Sequence, residues 1–361
     1  MEEEKFRGHM AKKKPGQKFE LDIKDRKILF ELSINARYSA ARIAKLVGLS
    51  RDTVEYRINN LIKNSIISGS ITIIDLEKTG VATAHLVYLK LQKFNKEFEE
   101  MLIEFLVNHK NTIWVCSCIG KWDIGISAVS RKGMSQFNET LSEILSFCGE
   151  HLQEHLVLGG VEESYLPQYH LIENLKDAKK LDTYSDYSEK EDGSFQRQLI
   201  ESRKKESKEA AKLDETDFKI LQILFSNARI RVLDLAKKVN LSAHAVTHRI
   251  ERLIREHVIT GFMPLISLHL LGLEWHMTFI KFQNLAKQKE KEFKTYLLYH
   301  PYILWYVKFA GQWDMQLSIF VKDSAHFKSI MDELLSNFND VIRSYESIMI
   351  YNQHKFMYKL E

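Results

Sequence analysis

The chain has 361 residues, room for two to four domains at about 100–200 residues each. It is 45% hydrophobic and 28% charged, which excludes a wholly disordered chain. Its net charge of +4 excludes a histone-like basic protein but leaves room for a local basic face, because charge acts where it clusters. Three cysteines (Cys116, Cys118, Cys148) are too few for a disulfide framework and fit a reducing compartment. Residues 1–20, with Lys12, Lys13, Lys14 and Lys18, read as a disordered basic tail and not a signal peptide. No run approaches about 18 apolar residues, so no membrane helix and no membrane partner are predicted, and the expected location is cytoplasmic.

The first domain spans 21–75. Residues 22–34 place Ile28, Leu29 and Leu32 at helical spacing, with Asp22 as N-cap and Asp25 three residues on. A second helix, about 39–47, starts at Ser39 and ends at Gly48, the left-handed residue of the turn. Ser50 caps a third helix whose Val54, Ile58 and Leu61 form an inward stripe. Two short helices joined by such a turn make a helix-turn-helix. Residues 66–74 are β-rich around one glycine and predict a small hairpin wing.

From 76 to 170 the order changes to β-α-β-β-α-β. Strands are predicted at 84–91, 112–119, 124–129 and 151–161, and helices at about 95–109 and 133–148. That order is the ferredoxin-like split βαβ pattern. It leaves one apolar sheet face without helices, so the face needs a partner sheet, which a second copy in the same chain can supply. Residues 171–212 hold ten Lys or Arg and ten acids and read as a charged linker.

Residues 213–254 then match 21–62 without gaps at 20 of 42 positions, against roughly 2–3 by chance. Asn35-Ala36-Arg37 recurs as Asn227-Ala228-Arg229, and Gly120-Lys121-Trp122-Asp123 as Gly311-Gln312-Trp313-Asp314. The second copy is predicted as a winged helix-turn-helix at 213–267 and a sandwich at 268–361. Its strands fall at 275–283, 302–310, 313–321 and 341–351, and its helices at 287–299 and 323–338. The fold class is α+β: two copies of a winged helix-turn-helix followed by a ferredoxin-like βαββαβ sandwich.

With the apolar stripe inward, the third helix turns Asp52, Glu55, Tyr56 and Asn59 outward, flanked by Arg51 and Arg57. The second copy turns out His244, Thr247, His248, Glu251 and Arg252, flanked by Arg249. An isolated helix of this kind is most simply a solvated face. Within a helix-turn-helix, outward polar side chains read base edges in the major groove. The flanking arginines and the Ser50 and Ser242 cap regions are then expected to meet phosphates. Residues 21–69 carry nine Lys or Arg against five acids, and 213–261 eight against six. Double-stranded DNA is therefore the expected partner. The two outward sets differ, so the copies are expected to read different half-sites.

The combined string resembles the Lrp/AsnC (feast/famine) transcription regulators. It comprises Leu21-Asp22-x-x-Asp25-x-x-Ile28-Leu29, Asn35-Ala36-Arg37, Leu49-Ser50-x-x-x-Val54-x-x-Arg57-Ile58-x-x-Leu61, Ile66-Ile67-x-Gly69 and the Gly120-x-x-Asp123 turn. The resemblance covers about 21–166 and 213–361 and implies a sequence-specific DNA-binding regulator. It also implies an amino acid or other small-molecule effector near the Gly-x-x-Asp turn, hence Gly120, Asp123, Gly311 and Asp314. The usual member has one module per chain, so the fused pair looks like an intramolecular pseudo-dimer, with a homo-oligomer as the other form. Turn chemistry alone also explains both residue types. Trp122 and Trp313 read as packing residues.

No phosphate-binding glycine loop and no His-Glu-x-x-His occurs. Cys116-x-Cys118 lies on a predicted strand, so both thiols share a face and read as buried structural cysteines, not zinc ligands. No metal, cofactor or catalytic residue is predicted. Two other readings use the same parts. Sirohaem decarboxylases look like the same two-part architecture, with basic and His residues in the cleft for tetrapyrrole carboxylates. A DNA-compacting architectural protein would discriminate little between sequences.

Overall fold

The computed structural model describes residues 19–80, 84–92, 95–130, 133–172 and 210–356. Residues 1–18 of the expected tail and 173–209 of the expected linker lie outside the described residues. The first copy runs α1 (Ile23–Ile34), α2 (Ala40–Val47), α3 (Arg51–Lys63), β1 (Ile67–Ile74), β2 (Ala84–Leu91), α4 (Lys96–Asn108), β3 (Thr112–Ile119), β4 (Ile124–Val129), α5 (Met134–Cys148) and β5 (Leu152–Tyr165). The second runs α6 (Glu215–Ser226), α7 (Val232–Lys238), α8 (Ala243–Arg255), β6 (Ile259–Ile266), β7 (Glu274–Phe282), α9 (Lys287–Tyr299), β8 (Ile303–Ala310), β9 (Met315–Val321), α10 (Ser324–Asn337) and β10 (Ile342–Phe356). These fall into two compact units that alternate along the chain: Glu20–Val81 with Gln168–Ile266, and Ala82–Pro167 with Ser267–Lys359.

Among the described residues the first unit holds helices α1–α3 and α6–α8. Asp22 caps α1 by accepting from the Asp25 N–H at 2.7 Å, and Ser50 caps α3 by accepting from Thr53 at 3.1 Å. Gly48 ends α2 at φ 66°, and Asn240 takes the matching place at φ 54°. Both are residue types that enter the left-handed region at low cost. Ile28, Leu29 and Leu32 of α1 and Val54, Ile58 and Leu61 of α3 are all buried, and the two helices are in contact.

The expected hairpin wing at 66–74 is corrected. The segment is one strand, β1, without an internal turn, and its antiparallel partner is β6 from the other copy. Each copy supplies half of a two-stranded sheet, because a lone strand leaves its backbone N–H and C=O groups unpaired. The exchange is reciprocal. α1 packs on β6 while α6 packs on β1. The Ala36 N–H donates to the Phe262 carbonyl at 2.8 Å, and the Ala228 N–H to that of Ser70 at 3.0 Å.

The second unit is an eight-stranded closed barrel, in the order β10-β3-β4-β2-β5-β8-β9-β7 and back to β10, with every pair antiparallel. Four neighbouring strands come from each copy. The seams are β5 with β8, from Gly159↔Ala310 to Tyr165↔Trp305, and β10 with β3, from Met349↔Ile119 to Phe356↔Trp114. This explains why the last strand of each copy outruns its prediction: β5 extends to Tyr165 and β10 to Phe356, and the added residues pair across the seam. Closure leaves neither four-stranded half of the barrel with an open edge.

Alternation sorts the side chains. Leu86, Tyr88, Cys116, Phe279 and Ile348 point into the barrel, and Val87, Leu89, Val115 and Ile126 point out to α4 and α5. Trp122 and Trp313 are buried in the interior cluster. Cys116 and Cys118 share that face as free thiols, Sγ to Sγ 3.6 Å, and burial pushes the Cys116 thiol up. Among the described residues no helix is long and apolar enough to cross a membrane.

Candidate nucleic-acid interface

The last helix of each triad, α3 and α8, has one buried and one open face. On α3 the stripe Val54, Ile58, Leu61 is buried, while Arg51, Asp52, Glu55, Tyr56 and Asn59 are exposed, Tyr56 at 73%. On α8 the stripe is Val246, Ile250, Leu253, and His244, Thr247, His248 and Glu251 are exposed. The outward set thus lies together on one solvent face in each copy. Thr247 donates its hydroxyl to the Ala243 carbonyl at 3.0 Å, and Arg51 pairs with Glu55 at 2.9 Å. Ser50 and Ser242 cap their own helices, the latter by accepting from Ala245 at 3.2 Å.

Arg57 and Arg249 do not hold the open positions expected for phosphate contacts. Arg57 Nη1 lies 2.7 Å from Asp22 Oδ2 and 2.8 Å from Asp25 Oδ1, tying α3 to the start of α1. Arg249 repeats this with Asp214 at 2.8 Å and Asp217 at 2.7 Å. Arg252, expected on the reading face, is half-buried and bonds Asp217 as well. Burial works to raise the Asp22 and Asp214 carboxyls. Hydrogen bonds from the next turn's N–H and from the arginine outweigh it and hold both below the usual carboxylate range. The physical reason is position. An arginine on the flank of the helix meets the acids of its own N-capping turns before it meets solvent.

The residues missed by spacing alone are Arg37 and Arg229. Arg37 Nη1 donates to the Ala228 carbonyl and, at 3.4 Å, to that of Ile230. Arg229 Nη1 donates to the Ala36 carbonyl and, at 3.3 Å, to that of Tyr38. Burial lowers both guanidinium pKa values from their ordinary range. The signal was present as the repeated Asn-Ala-Arg, but nothing in it named a partner 191 residues away.

The two Gly-x-x-Asp turns, expected near an effector, have their carboxylates engaged within the chain. Asp123 Oδ2 accepts from the Leu91 N–H at 2.7 Å and Oδ1 from Lys90 Nζ at 3.0 Å. Asp314 accepts from Phe282 at 2.8 Å and from Lys281 at 3.1 Å. Gly120 and Gly311 have φ of 134° and 151°, which a side chain would strain. An ammonium ligand at either turn would compete with Lys90 or Lys281 for the carboxylate.

Comparison with known proteins follows the same division. Residues 21–62 match the AsnC-type helix-turn-helix domain, and residues 213–260 match a winged helix-turn-helix DNA-binding domain. The proline dehydrogenase transcriptional activator of Rhodobacter capsulatus is 36% identical over 126 residues, covering 34% of this chain and 81% of that protein. The chain belongs to the Lrp/AsnC family. The leucine-responsive regulatory protein of Haemophilus influenzae is 41% identical over 71 residues, 20% of this Lrp/AsnC chain and 43% of that protein. The crystal structure of the siroheme decarboxylase NirDL superposes on nearly the whole chain, covering 93% of each, with TM-score 0.57 and 11% identity. At that identity the likeness is one of fold.

Proposed function

We propose that this chain is a DNA-binding transcription regulator of Lrp/AsnC type in which one polypeptide supplies both reading heads. Both triads, α1–α3 and α6–α8, act as helix-turn-helix units. Each strand order β3-β4-β2-β5 and β8-β9-β7-β10 is read as a ferredoxin-like sandwich, and the two sandwiches make an intramolecular pseudo-dimer. The observation that carries the reading is the pair of exposed polar helix faces, on α3 and α8, held in one unit by β1–β6 pairing. Such a pair presents two helices to successive major grooves without a second chain. Each head is only mildly basic, so tight binding comes from both acting together.

The test is capture of genomic fragments by the purified full chain. A regulator enriches discrete fragments and binds them about 10³-fold or more tighter than bulk DNA. Equal capture of all fragments would replace regulation with the architectural reading.

The fold likeness to NirDL over 93% of the chain supports a second reading, an enzyme acting on a sirohaem-type tetrapyrrole. It makes a different prediction: the purified chain binds iron tetrapyrrole with a visible absorption band and enriches no DNA fragment. The intact helix faces and the curated relatives favour regulation.

A further inference from the structure

We propose that the protein reads a DNA site whose two halves differ in sequence, so that the chain sits on it in one orientation only. This rests on the DNA-reading function above and narrows its partner from DNA to an asymmetric duplex.

The frame of the two reading helices is the same in both copies. Val54, Ile58 and Leu61 occupy the places of Val246, Ile250 and Leu253, and all six are buried. Ser50 and Ser242 cap alike, and Arg57 and Arg249 hold the N-capping aspartate of their own first helix at 2.7 and 2.8 Å. β1 with β6, and the crossed Arg37 and Arg229 bonds, relate the frames reciprocally. A frame of this symmetry with identical reading faces would select an inverted repeat.

The faces are not identical at any reading position. Arg51, Asp52, Glu55, Tyr56 and Asn59 stand where α8 has Ala243, His244, Thr247, His248 and Glu251. The α3 face offers the Asp52 carboxylate, an acceptor suited to a cytosine amino group, a phenol, and the Arg51–Glu55 ion pair. The α8 face offers two imidazoles and, because the Thr247 hydroxyl is spent on Ala243, a methyl suited to the thymine methyl. Wrong base pairs typically cost roughly 10- to 100-fold in affinity, so two faces this different cannot share one half-site.

The test is selection of sites from a random duplex pool by the full chain and by two transplants. The first transplant carries Arg51→Ala, Asp52→His, Glu55→Thr, Tyr56→His and Asn59→Glu. The second carries Ala243→Arg, His244→Asp, Thr247→Glu, His248→Tyr and Glu251→Asn. All changes lie on the outward side and leave the buried stripes and the arginine–aspartate pairs intact. The wild-type chain is expected to select one site with unlike halves. Each transplant should select an inverted repeat of the half that its unchanged helix reads, and bind the wild-type site at least 10-fold more weakly. Either transplant alone decides the matter if the other does not fold. An inverted repeat selected by the wild type, or an asymmetric site retained by a folded transplant, overturns the inference and leaves the DNA-reading function standing. A pool with no enriched sequence overturns that function and this inference with it.

Discussion

Arg37 and Arg229 bind the two copies crosswise: each guanidinium donates to the main-chain carbonyl of the alanine just before the other arginine. Arg37 is half-buried and lies over the Phe262 ring at 5.5 Å, whereas Arg229 is exposed. Arg37→Ala is expected to cost about 1.5–3 kcal/mol, since a charged donor to a buried carbonyl is lost. Arg229→Ala should cost less, because its guanidinium is more exposed, and the double variant less than the sum, because the pair shares one interface. Urea unfolding followed by a probe in the helical unit measures this. Strict additivity would deny the coupling.

The other repeated arginines give unequal outcomes. Asp217 has only 1% of its side chain exposed and is held by both Arg249 and Arg252. Removing both arginines leaves a buried carboxylate unpaired, a loss of about 3–5 kcal/mol. Arg57→Ala should cost about 1 kcal/mol, because Asp22 stays half in water. It should also leave the salt dependence of DNA binding unchanged. A fall in that slope of about 0.9 would return Arg57 to a phosphate.

Inside the barrel, Gly125 stands where the second copy has Gln316, whose Oε1 accepts from the Tyr88 hydroxyl at 2.7 Å. A Cβ on Gly125 would lie 2.8 Å from Cys116 Sγ, 3.1 Å from Tyr88 and 3.2 Å from Trp114. Gly125→Ala should therefore destabilise by about 1–3 kcal/mol through overpacking. Thermal melts of the full chain read it. An unchanged melt would mean that the interior has slack.

His300 gives a pH dependence. It is buried, its Nδ1 accepts from the Tyr302 N–H at 3.2 Å, and burial lowers its pKa from 6.5 to about 4, with Glu333 opposing and His326 adding to the shift. The unfolded chain takes up a proton below pH 6.5 while the folded chain resists it down to about pH 4. Stability from this group is full above pH 6.5 and falls across that window, by at most about 1.4 kcal/mol per pH unit. His300→Asn, whose Oδ1 can take the Tyr302 bond, should flatten that limb of the stability profile. An equally steep limb would assign the loss to other groups.

Local periodicity made the helices legible, because a stripe such as Val54, Ile58, Leu61 depends only on residues of the same helix. The duplication was legible for the same reason: it is a comparison of the chain with itself. The solvent face of α3 could be read because it is what remains once the stripe is placed. Partnership was not legible. Residues 66–74 read as a hairpin because a strand's sequence does not say whether its partner is local, and β6 proved to be the partner. Spacing set Arg57 on the flank of α3 but did not show that Asp22 and Asp25 stand within ion-pair distance of it.

The sequence by itself determined that one module occurs twice, which residues form each core stripe, and that the two outward faces differ. Only the tertiary structure decided that the copies complete each other, through β1 with β6, β5 with β8 and β10 with β3. Strand pairing and the crossed arginine bonds are contacts between residues far apart in the chain. Their energy depends on register and desolvation, quantities that exist only once both copies are folded against each other.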